Sequence, residues 1–205
     1  RFNELADTLY HFMWDDLCDW YLEIAKTRIS KSAQEPKAVL AHCLDVLLRL
    51  LHPIMPFITE EIWGKLNSVA PDRGPTGERA ERLLATAQWP YADAAAISQL
   101  VEDEFALLQD LIRQVRNARL EHNVPPKQAV NLAVEASGAL ANLISENADL
   151  MRSLANVDRV SVQAELGERP ANAAAINSGN ARLYVLDIID TAAERSRLTK
   201  QAETL

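Results

Sequence analysis

Apolar residues recur at three- and four-residue steps from the start of the chain. Phe2, Leu5, Leu9, Phe12/Met13, Leu17, Trp20/Tyr21 and Ile24 share one face of a helix over about 1–29. Asp7, Asp15, Asp16, Asp19 and Glu23 fall mostly on the other side. A second helix is expected to open at 32–36, where Ser32 and Glu35 have capping-box spacing and Pro36 suits a first turn. It continues through VLAHCLDVLLRLL, apolar on more than one face, as a central helix of a bundle. In LHPIMPFITEEIW, residues 51–63, Pro53 drives His52 out of the α region and ends that helix, while Pro56 fits the first turn of the next. The pattern predicts a tight helix–helix corner with Ile54, Met55, Phe57 and Ile58 packed inward. Glu60 and Glu61 then lie near the positive end of the new helix.

Residues 67–93 carry Pro71, Gly74, Pro75, Gly77 and mixed charge, and read as a surface connection, partly mobile. A long amphipathic helix is expected over 94–121, with Ile97, Leu100/Val101, Phe105, Leu108, Leu111/Ile112 and Val115 on its buried stripe. Asn123 to Pro126 stops it. The period then changes. Val130, Leu132 and Val134 alternate as a strand does, 137–154 returns to helical spacing, and Val160/Val162 and Leu183/Val185 alternate again. This predicts a small β-α-β-β unit with 166–181 as a loose loop. Beyond it, Thr191 and Glu194 form another capping box. Leu198 and Leu205 lie seven apart, one heptad at the opening of a further helix.

The fold class is therefore mainly α: a helical bundle, a small α+β subdomain with about three strands, and the start of a coiled-coil helix. Composition narrows the function. With 48% hydrophobic residues the 205-residue chain is not globally disordered. A net charge of −8 excludes nucleic-acid binding by overall charge but leaves room for a local basic patch. Charge interrupts every apolar run well before the length of a membrane span. The opening RFNELADTLY has no initiator Met and no targeting segment, so the chain reads as a piece of a longer soluble polypeptide. Cys18 and Cys43 form no CxxC pattern. They read as reduced thiols on helix faces, with a bridge as the alternative, and favour a cytoplasmic setting.

No HExxH, GxSxG, Walker or GxGxxG motif is present. His11, His42, His52 and His122 lack partners at metal-ligand spacing and read as core or surface histidines. Glu60 and Glu61 are adjacent, hence about a hundred degrees apart on a helix, and suit helix-start charge better than paired acids. Arg28-Ile-Ser-Lys-Ser32 resembles an ATP-holding KMSKS loop but lies between two helices, with no nucleotide-binding βαβ pattern around it, and is rejected.

The positive candidate is LIRQVRNARLEHNVPPK. Arg113, Arg116 and Arg119 step by three as a slowly turning stripe, and Lys127 follows just beyond the helix end. Such a row suits successive phosphates or stacking on bases. A solvated face paired to Glu121 and other acids is the alternative.

Four segments together resemble the C-terminal part of bacterial valyl-tRNA synthetases, class I enzymes: FMWDDLCDWYLEIAK, LLHPIMPFITEEIW, IRQVRNARLEHNVPPK and LYVLDIIDTAAERSRL. The proline corner alone is shared with leucyl and isoleucyl enzymes; its combination with CDWYLE points to valine. The resemblance implies an ATP- and magnesium-dependent ligase that joins valine to its tRNA, with catalytic and editing domains upstream of this region. It implies an anticodon-binding bundle over 1–123, a small subdomain over 124–189 and the root of a coiled-coil arm over 190–205. It adds Asn117 to Arg113, Arg116, Arg119 and Lys127 as tRNA-facing residues. No catalytic, cofactor or metal residue is expected in the chain, and neither DNA nor a membrane as partner. The remaining alternatives are the same region of an isoleucyl or leucyl enzyme, and a helical protein–protein module without an RNA role.

Overall fold

A computed structural model describes residues 1–30, 34–73, 77–168, 170–186 and 188. The Ser32 cap, the Thr191–Glu194 capping box and the Leu198/Leu205 heptad lie outside the described residues. The chain divides into two compact units, Arg1–Ala96 and Ile97–Leu205. The long helix expected to close the bundle thus belongs to the same unit as the sheet.

The first unit opens with α1 (Phe2–His11), a π-helical stretch (Phe12–Leu22) and α2 (Glu23–Ser30). A single continuous α-helix was the expectation. The i→i+5 bonding of the middle stretch shifts the phase of the face. Leu9 and Trp20 are buried, whereas Leu5 and Phe12 remain exposed. Both cysteines are free, and burial pushes the Cys43 thiol up from its ordinary range. His11, read from spacing as partnerless, lies 2.7 Å from Asp15 and 3.6 Å from Asp7, one turn away on either side.

Helices α3 (Glu35–Leu51) and α4 (Pro56–Val69) meet at the proline corner, and Pro36 and Pro56 each occupy an opening turn. The apolar corner residues do not pack inward. Ile54, Met55, Phe57 and Ile58 are all exposed, Phe57 by 90%. The inward stripe of α4 is Thr59, Trp63 and Leu66, at steps of four and three, which turns Phe57 to the opposite side. A polar residue closes the corner instead: the Thr59 hydroxyl donates to the Met55 carbonyl (2.8 Å) and lies 2.9 Å from His52 Nδ1.

The stretch from 67 to 93 is also more ordered than its composition suggests. Strands β1 (Asp72–Arg73) and β2 (Glu78–Arg79) pair antiparallel. Leu84 enters the core with Leu48, Trp63 and Leu66. The Glu60 carboxylate accepts from the Leu84 and Ala85 N–H groups (2.8 and 3.1 Å), capping a short 3-10 turn at Leu84–Thr86. Trp63 Nε1 donates to the Glu81 carbonyl (2.9 Å). Trp89 is 52% exposed.

Beneath this loop lies a buried ionic stack. Arg73 Cζ is 4.2 Å from the centroid of the fully buried Trp63 ring, and Arg49 Cζ is 5.2 Å away. Asp45, also buried, accepts from Arg73 Nε (2.6 Å) and Arg49 Nε (2.7 Å). Arg73 Nη1 donates to Asn67 Oδ1 and to the Ala70 carbonyl, both at 2.7 Å.

In the second unit α5 (Gln99–Glu121) packs on a four-stranded sheet and its helices. It starts later than expected, after a short 3-10 turn at Ala94–Ala96 in the first unit. Ile97, Leu100 and Val101 are exposed, while Leu108, Leu111, Ile112 and Val115 are buried. Strand β3 (Val130–Glu135) leads through α6 (Gly138–Glu146) and α7 (Ala148–Ala155) to β4 (Val157–Gln163), which pairs parallel with β3. The expected single helix is broken at Asn147. The strand order is β4-β3-β6-β5, with β5 (Ala174–Ser178) and β6 (Ala181–Leu186) antiparallel neighbours. β5 lies inside the expected loose loop. Gly179, at φ +53°, opens the two-residue turn between β5 and β6. Val130, Leu132 and Val134 are buried along β3, and Ala133 joins Tyr184 and Ala173 in a smaller cluster.

Arg73→Ala should destabilise the first unit by about 3 kcal/mol, because it removes the stacked cation and leaves Asp45 with Arg49 alone; urea unfolding measures this. The Asp15 hydrogen bond, followed by the Asp7 charge, raises the His11 pKa above its ordinary 6.5. Its stabilising effect is therefore complete below the ordinary value and fades as pH climbs through the raised one. An NMR titration should place His11 above 6.5, and Asp15→Asn should bring it down.

Candidate nucleic-acid interface

The five basic-end residues do not form one exposed row. Residues three apart on an α-helix differ by about 60° in direction, so two such steps carry a side chain about 120° around the axis. Arg113 is exposed, Arg116 is half-buried and Arg119 is only 7% exposed. Arg119 shares the phase of Leu108, Leu111 and Val115, and lies inside with them. Arg116 Nε donates to the Leu154 carbonyl at 2.8 Å.

Arg119 has a structural task. Its Nη1 donates to the Asn156 carbonyl (3.2 Å), and its Nη2 to those of Pro125 (3.2 Å) and Gln128 (2.8 Å). Asn156, in the left-handed conformation at the end of α7, adds Nδ2 bonds to the Pro126 and Gln128 carbonyls (2.8 and 3.2 Å). Two side chains thus satisfy carbonyls that the proline pair leaves without helical or sheet partners. Burial pushes the Arg119 pKa below its ordinary value. That shift leaves it charged near neutrality. A tRNA-facing role for Arg119 is incompatible with this burial.

Lys127 stands in the turn that Arg119 holds, closed by Gln128 N–H donating to the Pro125 carbonyl at 3.0 Å, and is exposed. Asn117 is one turn from Arg113 on the same exposed face, and Leu120 is 75% exposed beyond it. The accessible surface therefore comprises Arg113, Asn117, Leu120, Glu121 and Lys127, with Arg116 at its margin. Leu120 was missed because an apolar residue at a helix end reads as core; its distance in phase from Val115 was the available signal.

Comparison with known proteins puts this surface in a family context. The family model described as the anticodon-binding domain of tRNA ligase matches residues 1–135. The chain belongs to this family. Anticodon-binding domains carry the name of an RNA contact, and the match takes in both the corner of the first unit and the basic end of α5. The chain is 38% identical to a valine–tRNA ligase of Caulobacter vibrioides over 97% of its length and 22% of that relative. It is 38% identical to one of Neisseria meningitidis and 35% identical to one of Thermotoga maritima, covered completely in both cases. These matches span roughly a fifth of each relative (21% and 22%). Among the described residues no group of three or more His, Cys, Asp or Glu side chains can hold a metal ion, and no helix is long and apolar enough to cross a membrane.

Arg119→Ala should destabilise the second unit by about 2–4 kcal/mol by stranding its carbonyl partners. Arg113→Ala should leave thermal unfolding nearly unchanged. Parallel melting curves of the two variants test the division between structural and surface arginines.

Proposed function

We propose that this chain is the anticodon-binding region of a valine–tRNA ligase. The observation that carries the reading is the anticodon-binding family match over 1–135, together with valine–tRNA ligase similarity along nearly the whole chain. The parent enzyme would join valine to its tRNA at the expense of ATP, with magnesium. Those steps belong to its other domains, and this chain's share is to hold the anticodon stem-loop, in the cytoplasm.

The side chains proposed for that task are Arg113, Arg116, Asn117 and Lys127. The cations neutralise phosphate oxygens, fixing register without reading sequence, while the Asn117 amide offers a donor and an acceptor to a base edge. A small basic face on a chain of net charge −8 favours oriented binding over general adhesion, since the rest of the surface repels the RNA backbone. A second reading, docking of a protein, draws support from the exposed Ile54, Met55, Phe57 and Ile58 at the proline corner.

The chain should bind a valine tRNA with an affinity that falls steeply with salt. Arg113→Gln with Lys127→Gln should reduce the slope of log K against log salt by about 1.5. An unchanged slope removes these two residues from the interface. Absence of any tRNA complex at low salt overturns the reading in favour of the protein-docking one.

A further inference from the structure

The first unit contains a cleft of about 870 Å³ that none of the basic-end residues touches. One wall is the α3 face carrying His42 and Arg49; the other comes from Arg73 and the loop with Trp89 and Tyr91. The cleft brings together three features that the ionic stack does not explain. Arg73, whose side chain is only 2% exposed, lines it and has an Nη2 with no hydrogen-bond partner among the described residues. The buried Nδ1 of His42, also lining it, likewise has no partner among the described residues. Trp89 and Tyr91, both in the lining, leave 52% and 87% of their surface in water.

Buried polar nitrogens left unpaired are costly, and pairing them with a ligand recovers that cost. Two exposed rings beside them offer stacking surface for a flat guest. Charge decides the guest's class. The three arginines of the lining face four carboxylates, Asp45, Glu78, Glu81 and Asp93, so a phosphate or other polyanion finds no net attraction. The required ligand is an uncharged planar heterocycle with acceptors on its edge.

We propose that this cleft takes an unstacked nucleobase of single-stranded RNA, stacked on Trp89 or Tyr91 with its acceptor edge toward Arg73 and His42. The recognition chemistry rests on the cleft alone. The choice of RNA as source rests on the anticodon-binding reading. A base held here would add a contact in the first unit to the phosphate contacts proposed for the second.

The test is NMR titration of the whole 15N-labelled chain with adenosine, guanosine, cytidine and uridine, and separately with ribose 5-phosphate, which has a phosphate and no base. At least one nucleoside should shift the Trp89 indole and Arg73 guanidinium signals, while ribose 5-phosphate shifts neither. Trp89→Ala, at an exposed site that should not disturb folding, should weaken nucleoside binding about tenfold. His42→Ala should alter the ranking of the four nucleosides. The proposal is overturned if no nucleoside perturbs these signals, if ribose 5-phosphate acts equally well, or if Trp89→Ala leaves binding intact. Titration of a valine tRNA in parallel separates the two readings. Binding of tRNA without any nucleoside response removes the cleft and keeps the anticodon reading. Nucleoside binding without tRNA binding keeps the heterocycle site and removes RNA as its source.

Discussion

Withdrawing a guanidinium from water costs several kcal/mol unless its N–H groups meet acceptors. Among the described residues each unit contains one buried arginine, and much of the surrounding loop geometry follows from meeting its needs. In the first unit Arg73 is held between the Asp45 carboxylate, the Trp63 face and carbonyl or amide oxygens of the α4 end. In the second, Arg119 has no carboxylate partner among the described residues and is satisfied by backbone carbonyls. The two solutions differ in consequence. An ion pair fixes side chains of distant elements, whereas a carbonyl cluster fixes the path of the main chain.

That difference bears on recognition. Because Arg119 bonds the carbonyls of the 125–128 turn, Lys127 projects from a fixed support, and less conformational entropy would be lost in the proposed contact with a phosphate. Arg113 and Asn117 stand on a regular helix for the same benefit. In the first unit the stack leaves one Arg73 nitrogen without a partner among the described residues, beside a cleft with two exposed aromatic rings. Buried arginine chemistry thus supports a surface in one unit and helps form a cleft in the other.

Much of this was legible along the chain. Helices announced themselves by period and proline placement, and β3, β4 and β6 by alternating Val and Leu. The fourth strand stayed hidden because Ala174, Ile176 and Ser178 make a weak apolar signal on its inward face; Gly179-Asn180 was the stronger sign. At the proline corner, hydrophobicity misled and phase did not, since Trp63 places Thr59 inward and Phe57 outward. The same reasoning, applied to Val115, puts Arg119 inside a stripe that looked basic by composition alone. Leu84 was beyond reach: a lone apolar residue in a polar connection becomes core only when a distant helix supplies Trp63 and Glu60 to receive it. The family resemblance was legible too, and the match over 1–135 agrees with it. The division into units was not, because helical period says nothing of which neighbour a helix packs against.

The family match ends at residue 135, the last residue of β3. That strand is interior, with β4 on one side and β6 on the other. The matched segment therefore stops in the middle of a sheet, while the strands that complete the sheet, and the likeness to valine–tRNA ligases, continue further along the chain. A protein trimmed to residues 1–135 would carry Val130, Leu132 and Val134 on a strand with two open hydrogen-bonding edges, a template for self-association. The small sheet thus shields the end of the matched segment, and residue 135 is not a place to cut the chain.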